Sequence, residues 1–243
     1  MRRIIFGIFV ATVALVLIGV AGFLVWTSNP YQPMPEALAA LESDSIVQVQ
    51  KESWLVFKPR ASEPTTGFIF YPGGLVDYRA YAPAAKSIAA QGYLVVIVPM
   101  PLNLAFFDAN RANDVIAKYP VIKRWAIGGH SLGGVAAAMF VKSNPNAVNA
   151  IAFWASYPAE GMTDSHVTAL SIYCTNDGGI NQLLASRNLM PASTRWVEIQ
   201  GGNHAQFGYY GIQSGDGTAS ISREEQQKQT VSATVELLKQ IGN

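Results

Sequence analysis

The chain has 243 residues, half of them apolar and only 14% charged, so it can build a sizeable hydrophobic core and lacks the composition of a disordered protein. Its 17 basic and 16 acidic residues give a net charge of +1. This balance argues against nucleic acid as a partner, because phosphate binding needs a concentrated basic patch. The single cysteine, Cys174, excludes an intrachain disulfide and a multi-cysteine zinc site.

The N-terminus predicts a membrane anchor. Residues 4–26 form an apolar run in which only Thr12 is polar, and Arg2 and Arg3 precede it. At ~1.5 Å per residue a helix over this run spans roughly 34 Å, enough to cross a bilayer. A cleavable signal peptide has a shorter apolar region of about 7–15 residues and a small-x-small cleavage site, which is missing here. We therefore expect a single-pass anchor over residues 1–28, a cytoplasmic N-terminus and an extracytoplasmic domain. Secretion after signal cleavage is the alternative.

The rest of the chain alternates strand-like and helix-like segments. Residues 29–45 are predicted to form a linker with a short helix over 36–41, and residues 46–243 one domain. Strands are predicted over 46–50, 54–57, 68–71, 94–98, 125–128, 150–154, 169–174 and 195–199. Helices are predicted over 78–90, 109–118, 132–141 and 180–188, and a last helix follows a capping box that starts at Ser222. This order predicts an α/β fold with a mostly parallel sheet and helices on both faces.

One serine lies where such a sheet binds its ligands, beyond the carboxyl end of a strand. The sequence GGHSLGG follows the strand 125–128 and precedes a helix, so Ser131 stands in a G-x-S-x-G motif with strand–turn–helix context. A tight turn of this kind lifts the serine hydroxyl above the sheet. Ser131 is therefore the candidate nucleophile.

A serine needs a base, and the base needs a carboxylate to orient it. Of the three histidines, His204 follows the strand 195–199 in a glycine-rich loop, whereas His130 adjoins the serine and is expected to pack. Asp177 follows the strand 169–174 and is the candidate orienting acid. Asp164 and Asp216 are competitors, but neither directly follows a core strand.

The developing oxyanion of an acyl-transfer reaction needs hydrogen-bond donors. One expected donor is the backbone N–H of Leu132, directly after the nucleophile. The loop YPGGL leaves the strand 68–71 at the same edge of the sheet, and the N–H of Gly74 is the second expected donor, with Leu75 as the near alternative.

These motifs resemble those of the α/β-hydrolase superfamily from about residue 46 onward. YPGGLVDYRAYAP, VVIVPMPLNLA, GGHSLGG and GGNHAQFGYYG are similar to small single-domain bacterial members, akin to dienelactone hydrolases and carboxylesterases. The resemblance implies an eight-strand-type sheet with Ser131 as nucleophile, His204 as base and Asp177 as its partner. Dienelactone hydrolases carry a cysteine where this chain has Ser131, so a dienelactone is not the expected substrate.

The connection over 155–168 is too short for the lid domain that many relatives insert, which predicts an open site. Leu75, Phe207 and Tyr209 are the predicted substrate-binding residues, and further candidates for the pocket lining are Tyr78, Leu104, Phe106, Phe107 and Tyr210. No metal-ligand set stands out, so no metal and no cofactor are expected.

The sequence therefore predicts a membrane-anchored, carboxylesterase-like serine hydrolase that cleaves a small-molecule ester or related acyl bond. A catalytically silent hydrolase-like binding module at the membrane and an acyltransferase are the alternatives. No oligomeric state is predicted.

Overall fold

The protein is built on one eight-stranded sheet with the strand order β1-β2-β4-β3-β5-β6-β7-β8. The structure, a computed structural model, describes residues 2–242 apart from the side chain of Ile4. Met1 and Asn243, the outer ends of the predicted anchor and domain, lie outside the described residues. The strands are Val47–Lys51 (β1), Leu55–Pro59 (β2), Thr66–Tyr71 (β3), Leu94–Ile97 (β4), Arg124–His130 (β5), Ala150–Trp154 (β6), Thr168–Cys174 (β7) and Arg195–Ile199 (β8).

The strand β2 pairs antiparallel with both of its neighbours, β1 and β4, whereas the strands β3 to β8 all run parallel to one another. The strands β3, β4 and β6 are buried along their whole length, as expected for parallel strands covered on both faces. The register pairs Tyr71 with Gly129 and His130 with Trp154, so β3, β5 and β6 end at one edge. The predicted α/β fold is confirmed.

Helices cover both faces of the sheet. The α-helices of the described residues are Arg2–Thr27 (α1), Pro35–Ala39 (α2), Ala82–Ala89 (α3), Ala112–Lys118 (α4), Leu132–Ser143 (α5), Ile180–Ala185 (α6) and Arg223–Gly242 (α7). The core on one face includes residues of α3 and α7, and the core on the other includes residues of α4 and α5. One of the two hydrogen bonds of the capping box before α7 is formed, since the N–H of Glu225 donates to Ser222 Oγ at 3.2 Å.

The N-terminal helix α1 leaves the domain with its apolar side chains exposed. Its segment Ile5–Thr27 has a mean hydropathy of 2.8 and is long and apolar enough to cross a membrane, a property that signal sequences share. Residues 29–45, the predicted linker, are packed on the domain. Tyr31 forms a parallel bridge with Val76, and Ala37 is buried.

The segment after β4 differs most from the sequence prediction. The helix predicted over 109–118 is preceded by two 3₁₀ segments, Pro101–Asn103 and Ala105–Arg111, before α4 begins. Leu102 and Asn103 both have positive φ, 54° and 55°. These left-handed residues, together with Asp108 at φ −147° and ψ 53°, interrupt the helical backbone before α4 begins.

Candidate active site

Ser131 occupies a strained turn between β5 and α5. Its φ of 52° and ψ of −122° lie outside the regions that a non-glycine residue prefers. Hydrogen bonds hold this conformation from both sides. The N–H of Ser131 donates to Trp154 O at 3.0 Å, and the hydroxyl of Ser156 donates to Ser131 O at 2.6 Å. These hydrogen bonds hold the strained turn in place and thus fix the serine side chain at the carboxyl end of the sheet.

The glycines around Ser131 are there because the turn has no room for side chains. A Cβ on Gly133 would lie 2.1 Å from the carbonyl oxygen of Tyr71, and one on Gly129 would lie 2.3 Å from the carbonyl carbon of Gly133. The start of α5 therefore packs directly on the backbone at the end of β3. This packing brings the loop after β3 close to the serine.

His204 and Asp177 meet at the same edge. Asp177 follows β7 and His204 follows β8, and the imidazole Nδ1 lies 2.8 Å from Asp177 Oδ2. Because an ionised carboxylate only accepts, His204 carries its proton on Nδ1 and leaves Nε2 as an acceptor. The other carboxylate oxygen of Asp177 accepts from the N–H of Gly179 at 2.7 Å, which orients the buried acid.

Ser131, Asp177 and His204 line one cavity of about 450 Å³. Within residues 2–242, Ser131 Oγ makes no hydrogen bond to the imidazole. Such catalytic contacts are often long before the substrate binds. The three predicted side chains are thus brought to one site.

Asp216 is a site residue that the sequence reasoning treated only as a competing acid. Its Oδ1 accepts from the N–H of His204 at 3.1 Å, and its Oδ2 accepts from the N–H of Ala205 at 2.7 Å. It therefore holds the backbone of the histidine loop, not the imidazole. The only sequence signal for this contact is the turn motif Gly-Asp-Gly. Asp164, the other competitor, is exposed.

His130 is buried behind the imidazole of His204, with the two ring centroids 4.4 Å apart. The hydroxyl of Tyr81 accepts from the N–H of Gly73 at 3.0 Å and is in hydrogen-bond contact with His130 Nδ1, 2.9 Å away. Burial, with a smaller contribution from His204, lowers the pKa of His130 well below its ordinary value of 6.5. A neutral His130 thus links the loop after β3 to the serine turn, which fits the packing role expected for it.

Two backbone amides are placed as candidate oxyanion donors. A Cβ on Gly74 would lie 2.9 Å from Leu132 Cδ2, so the two residues are neighbours, and Leu132 opens α5. Among residues 2–242 neither amide has a hydrogen-bond acceptor. The N–H of Leu75, the near alternative, already donates to Asn103 O at 2.9 Å. This geometry favours Gly74 over Leu75.

Most of the predicted pocket residues lie elsewhere. Phe207 is fully buried and stacks on His130 with centroids 5.6 Å apart. Tyr209 lies under the guanidinium of Arg223, 5.5 Å from it, in the groove between α3 and α7. The residues that line the cavity with the three site residues come from α5, from the loops after β6 and β7 and from α6, and are Leu132, Val135, Ala155, Ser156, Tyr157, Gly179, Gln182 and Leu183.

Neither Phe207 nor Tyr209 lines this cavity, and their substrate-binding roles stay predictions. The ring of Phe207 packs behind His130, whereas the ring of Tyr209 faces the groove between α3 and α7. Leu75 stays beside the site through its backbone, and Phe106 and Phe107 lie outside this cavity with exposed fractions of 43% and 49%. The part of the chain that the structure describes holds no group of three or more His, Cys, Asp or Glu that could bind a metal ion.

Comparison with known proteins gives one family. The family model described as "Alpha/beta hydrolase family" matches residues 67–228, from β3 to the first part of α7. Members of this family are generally hydrolytic enzymes. No curated protein matches the chain. Since the match covers about two thirds of the sequence, the chain belongs to the alpha/beta hydrolase family.

Proposed function

We propose that this chain is a serine hydrolase that cleaves an ester or related acyl bond through an acyl-enzyme on Ser131. The observation that carries the proposal is one cavity lined by Ser131, Asp177 and His204, in which Asp177 accepts a hydrogen bond from the imidazole at 2.8 Å. A carboxylate, an imidazole and a hydroxyl in this relation are the parts that acyl transfer needs.

In the first step Ser131 Oγ attacks the substrate carbonyl carbon while His204 Nε2 takes the hydroxyl proton. Asp177 stabilises the imidazolium that forms. The tetrahedral oxyanion is bound by the N–H groups of Leu132 and Gly74, and the positive end of α5 adds to this field. When the tetrahedral intermediate collapses, the acyl–oxygen bond breaks and the imidazolium gives its proton to the leaving alkoxide.

In the second step a water molecule attacks the acyl-enzyme and gives its proton to the same imidazole. The acid is released, and Ser131 recovers its proton from His204. Acyl transfer to an alcohol would use the same machinery with another acceptor. The connection after β6 is short and has no helix between Trp154 and Thr168, so the cavity is open to water. This openness supports the hydrolysis of a carboxylic ester.

We propose further that residues 1–28 stay on the protein as a membrane anchor. The apolar side chains of α1 are exposed along the helix, as a bilayer requires, but its end is built into the domain. Thr27 is buried, and its carbonyl accepts from the side chain of Asn103 at 2.9 Å. Such docking supports an anchor over a removable leader. Arg2 and Arg3 favour a cytoplasmic N-terminus and an extracytoplasmic domain.

A fluorophosphonate probe tests the proposed function on the full chain in detergent. We expect the wild-type protein to be labelled on Ser131 and to hydrolyse p-nitrophenyl acetate, and heat-unfolded protein to remain unlabelled. No labelling of the folded protein would favour the alternative, a hydrolase-like binding module without turnover.

A further inference from the structure

The 3₁₀ segments after β4 form an exposed apolar surface beside the active site. In this segment, residues 101–107, which we call the apolar turn, Leu102, Phe106 and Phe107 have exposed fractions of 38%, 43% and 49%. The two phenylalanine rings pack on each other with centroids 4.5 Å apart. Three large apolar side chains exposed in one short segment form an apolar patch, and such patches are typical of interaction surfaces.

The apolar turn touches the last turns of α1. The rings of Phe23 and Phe107 meet edge to face with centroids 6.4 Å apart. The side-chain amide of Asn103 donates to the carbonyl of Thr27 at 2.9 Å. The apolar turn therefore lies at the same height along the axis of α1 as the end of the candidate membrane span.

This contact sets the depth of the apolar turn if α1 spans a bilayer. Phe23 lies about 6 Å before Thr27 along the helix axis. The span Ile5–Thr27 is about 34 Å long and the hydrocarbon core about 30 Å thick, so Phe23 lies near the boundary of that core. Phe107, which touches Phe23, then lies at the membrane interface, where aromatic and leucine side chains are favoured.

The inner side of the apolar turn packs on the proposed oxyanion loop. Leu104 is buried, and its Cδ2 lies 3.7 Å from the place that a Cβ on Gly74 would take. The carbonyl of Asn103 accepts from the N–H of Leu75 at 2.9 Å. Gly74 in turn contacts Leu132, which lines the cavity. Apolar contacts through Leu104 and the loop of Gly74 thus connect the apolar turn to Leu132 at the cavity of Ser131.

We infer that the apolar turn inserts into the leaflet on the domain's side and that the substrate is an ester lipid whose acyl chain starts in that leaflet. The inference rests on the proposed function, since it names the substrate class of the same site. The acyl chain enters along Leu104 and Leu132, and the ester carbonyl reaches Ser131 at the interface. Hydrolysis then consumes one water, leaves the fatty acid in the bilayer and frees the alcohol part of the lipid.

The depth to which the apolar turn inserts into the bilayer can be measured without an assay of hydrolysis. The full chain in phosphatidylcholine vesicles would carry Phe107→Cys or Val121→Cys, labelled with the environment-sensitive dye NBD. Val121 is a matched control because it is also apolar and exposed but precedes β5, at the opposite edge of the sheet from Ser131. Cys174 is buried, which raises its pKa, and it serves as the unlabelled background.

We expect doxyl-labelled lipid to quench the dye at position 107 and to leave the dye at position 121 unquenched. Equal quenching at the two positions would overturn the inference, because the apolar turn would then not enter the bilayer.

The substrate class is tested with two esters that share one leaving group, p-nitrophenyl palmitate in the same vesicles and p-nitrophenyl acetate in water. The variant Phe106→Ser/Phe107→Ser is expected to lose about tenfold on the palmitate ester and to keep its rate on the acetate ester, whereas Val121→Ser keeps both rates. Parallel loss on both esters, or no loss on either, would overturn the lipid substrate. Wild-type protein that cleaves neither ester and takes no fluorophosphonate would overturn the proposed function itself, while the quenching experiment would still report whether the apolar turn enters the bilayer.

Discussion

The carboxylate of Asp216 accepts a hydrogen bond from the backbone N–H of His204 at 3.1 Å, whereas Asp177 accepts one from the imidazole of the same residue. Two acids therefore hold one histidine in different ways. One fixes the loop, and the other fixes the ring and its tautomer. The two contacts predict different consequences when each acid is neutralised.

Asp177→Asn is expected to lower kcat for p-nitrophenyl acetate by about 10³- to 10⁴-fold, because an amide that donates to Nδ1 reverses the tautomer. Asp216→Asn is expected to cost about tenfold, because the histidine loop loses one charge-assisted acceptor but the ring keeps its partner. Asp164→Asn serves as an exposed control with an unchanged rate. Steady-state kinetics measure all three, and a larger loss in Asp216→Asn than in Asp177→Asn would reassign the orienting acid.

Substitutions of Ser131 separate chemistry from backbone strain. Ser131→Ala and Ser131→Gly should both abolish turnover and fluorophosphonate labelling, because each lacks the hydroxyl. Glycine adopts a φ of 52° without strain, so we expect Ser131→Gly to be more stable than Ser131→Ala by about 1 kcal/mol in the free energy of unfolding. Urea unfolding measures this difference. Activity retained in either variant would remove Ser131 as the nucleophile.

Gly133→Ala tests the close contact between α5 and the end of β3. The added Cβ would lie 2.1 Å from the backbone oxygen of Tyr71, which cannot rotate away, so we expect a loss of more than about 3 kcal/mol in the free energy of unfolding. Gly161→Ala is the control, since a Cβ there meets nothing within 4 Å, and it should change stability by less than about 0.5 kcal/mol. Equal stability of the two variants would contradict the packing described.

The buried His130 predicts a pH dependence of stability. Its pKa in the folded protein is lowered below 6.5, so between pH 6.5 and the lowered pKa the unfolded chain binds a proton that the folded protein does not. The contribution of neutral His130 to the free energy of unfolding is complete above pH 6.5. It falls by up to about 1.4 kcal/mol per pH unit as the pH drops from 6.5 to the lowered pKa.

The variant His130→Asn offers Tyr81 an acceptor but does not titrate. We expect it to lack this part of the slope when urea unfolding is compared between pH 5 and 8. A wild-type slope retained in the variant would assign the effect to other groups.

The sequence by itself determined the order of strands and helices and the residues that leave the carboxyl ends of β5, β7 and β8. It did so because buried parallel strands are short apolar runs, and because topology brings their ends to one edge wherever the loops go. Ser131, Asp177 and His204 were therefore predictable from local patterns. The long apolar run of α1 was predictable for the same reason, since length and hydropathy are local properties.

The tertiary structure alone decided the contacts between segments that are distant in the sequence. Asp216 reaches the amide of His204, Asn103 reaches Thr27, and Phe207 packs behind His130 instead of entering the cavity. No local pattern encodes these pairs, because a hydrogen bond or a ring contact across the fold depends on how loops are packed rather than on residue spacing. The turn after β4 is a further example. Its residues with positive φ lie between α1 on one side and the loop of Gly74 on the other, and these contacts are tertiary.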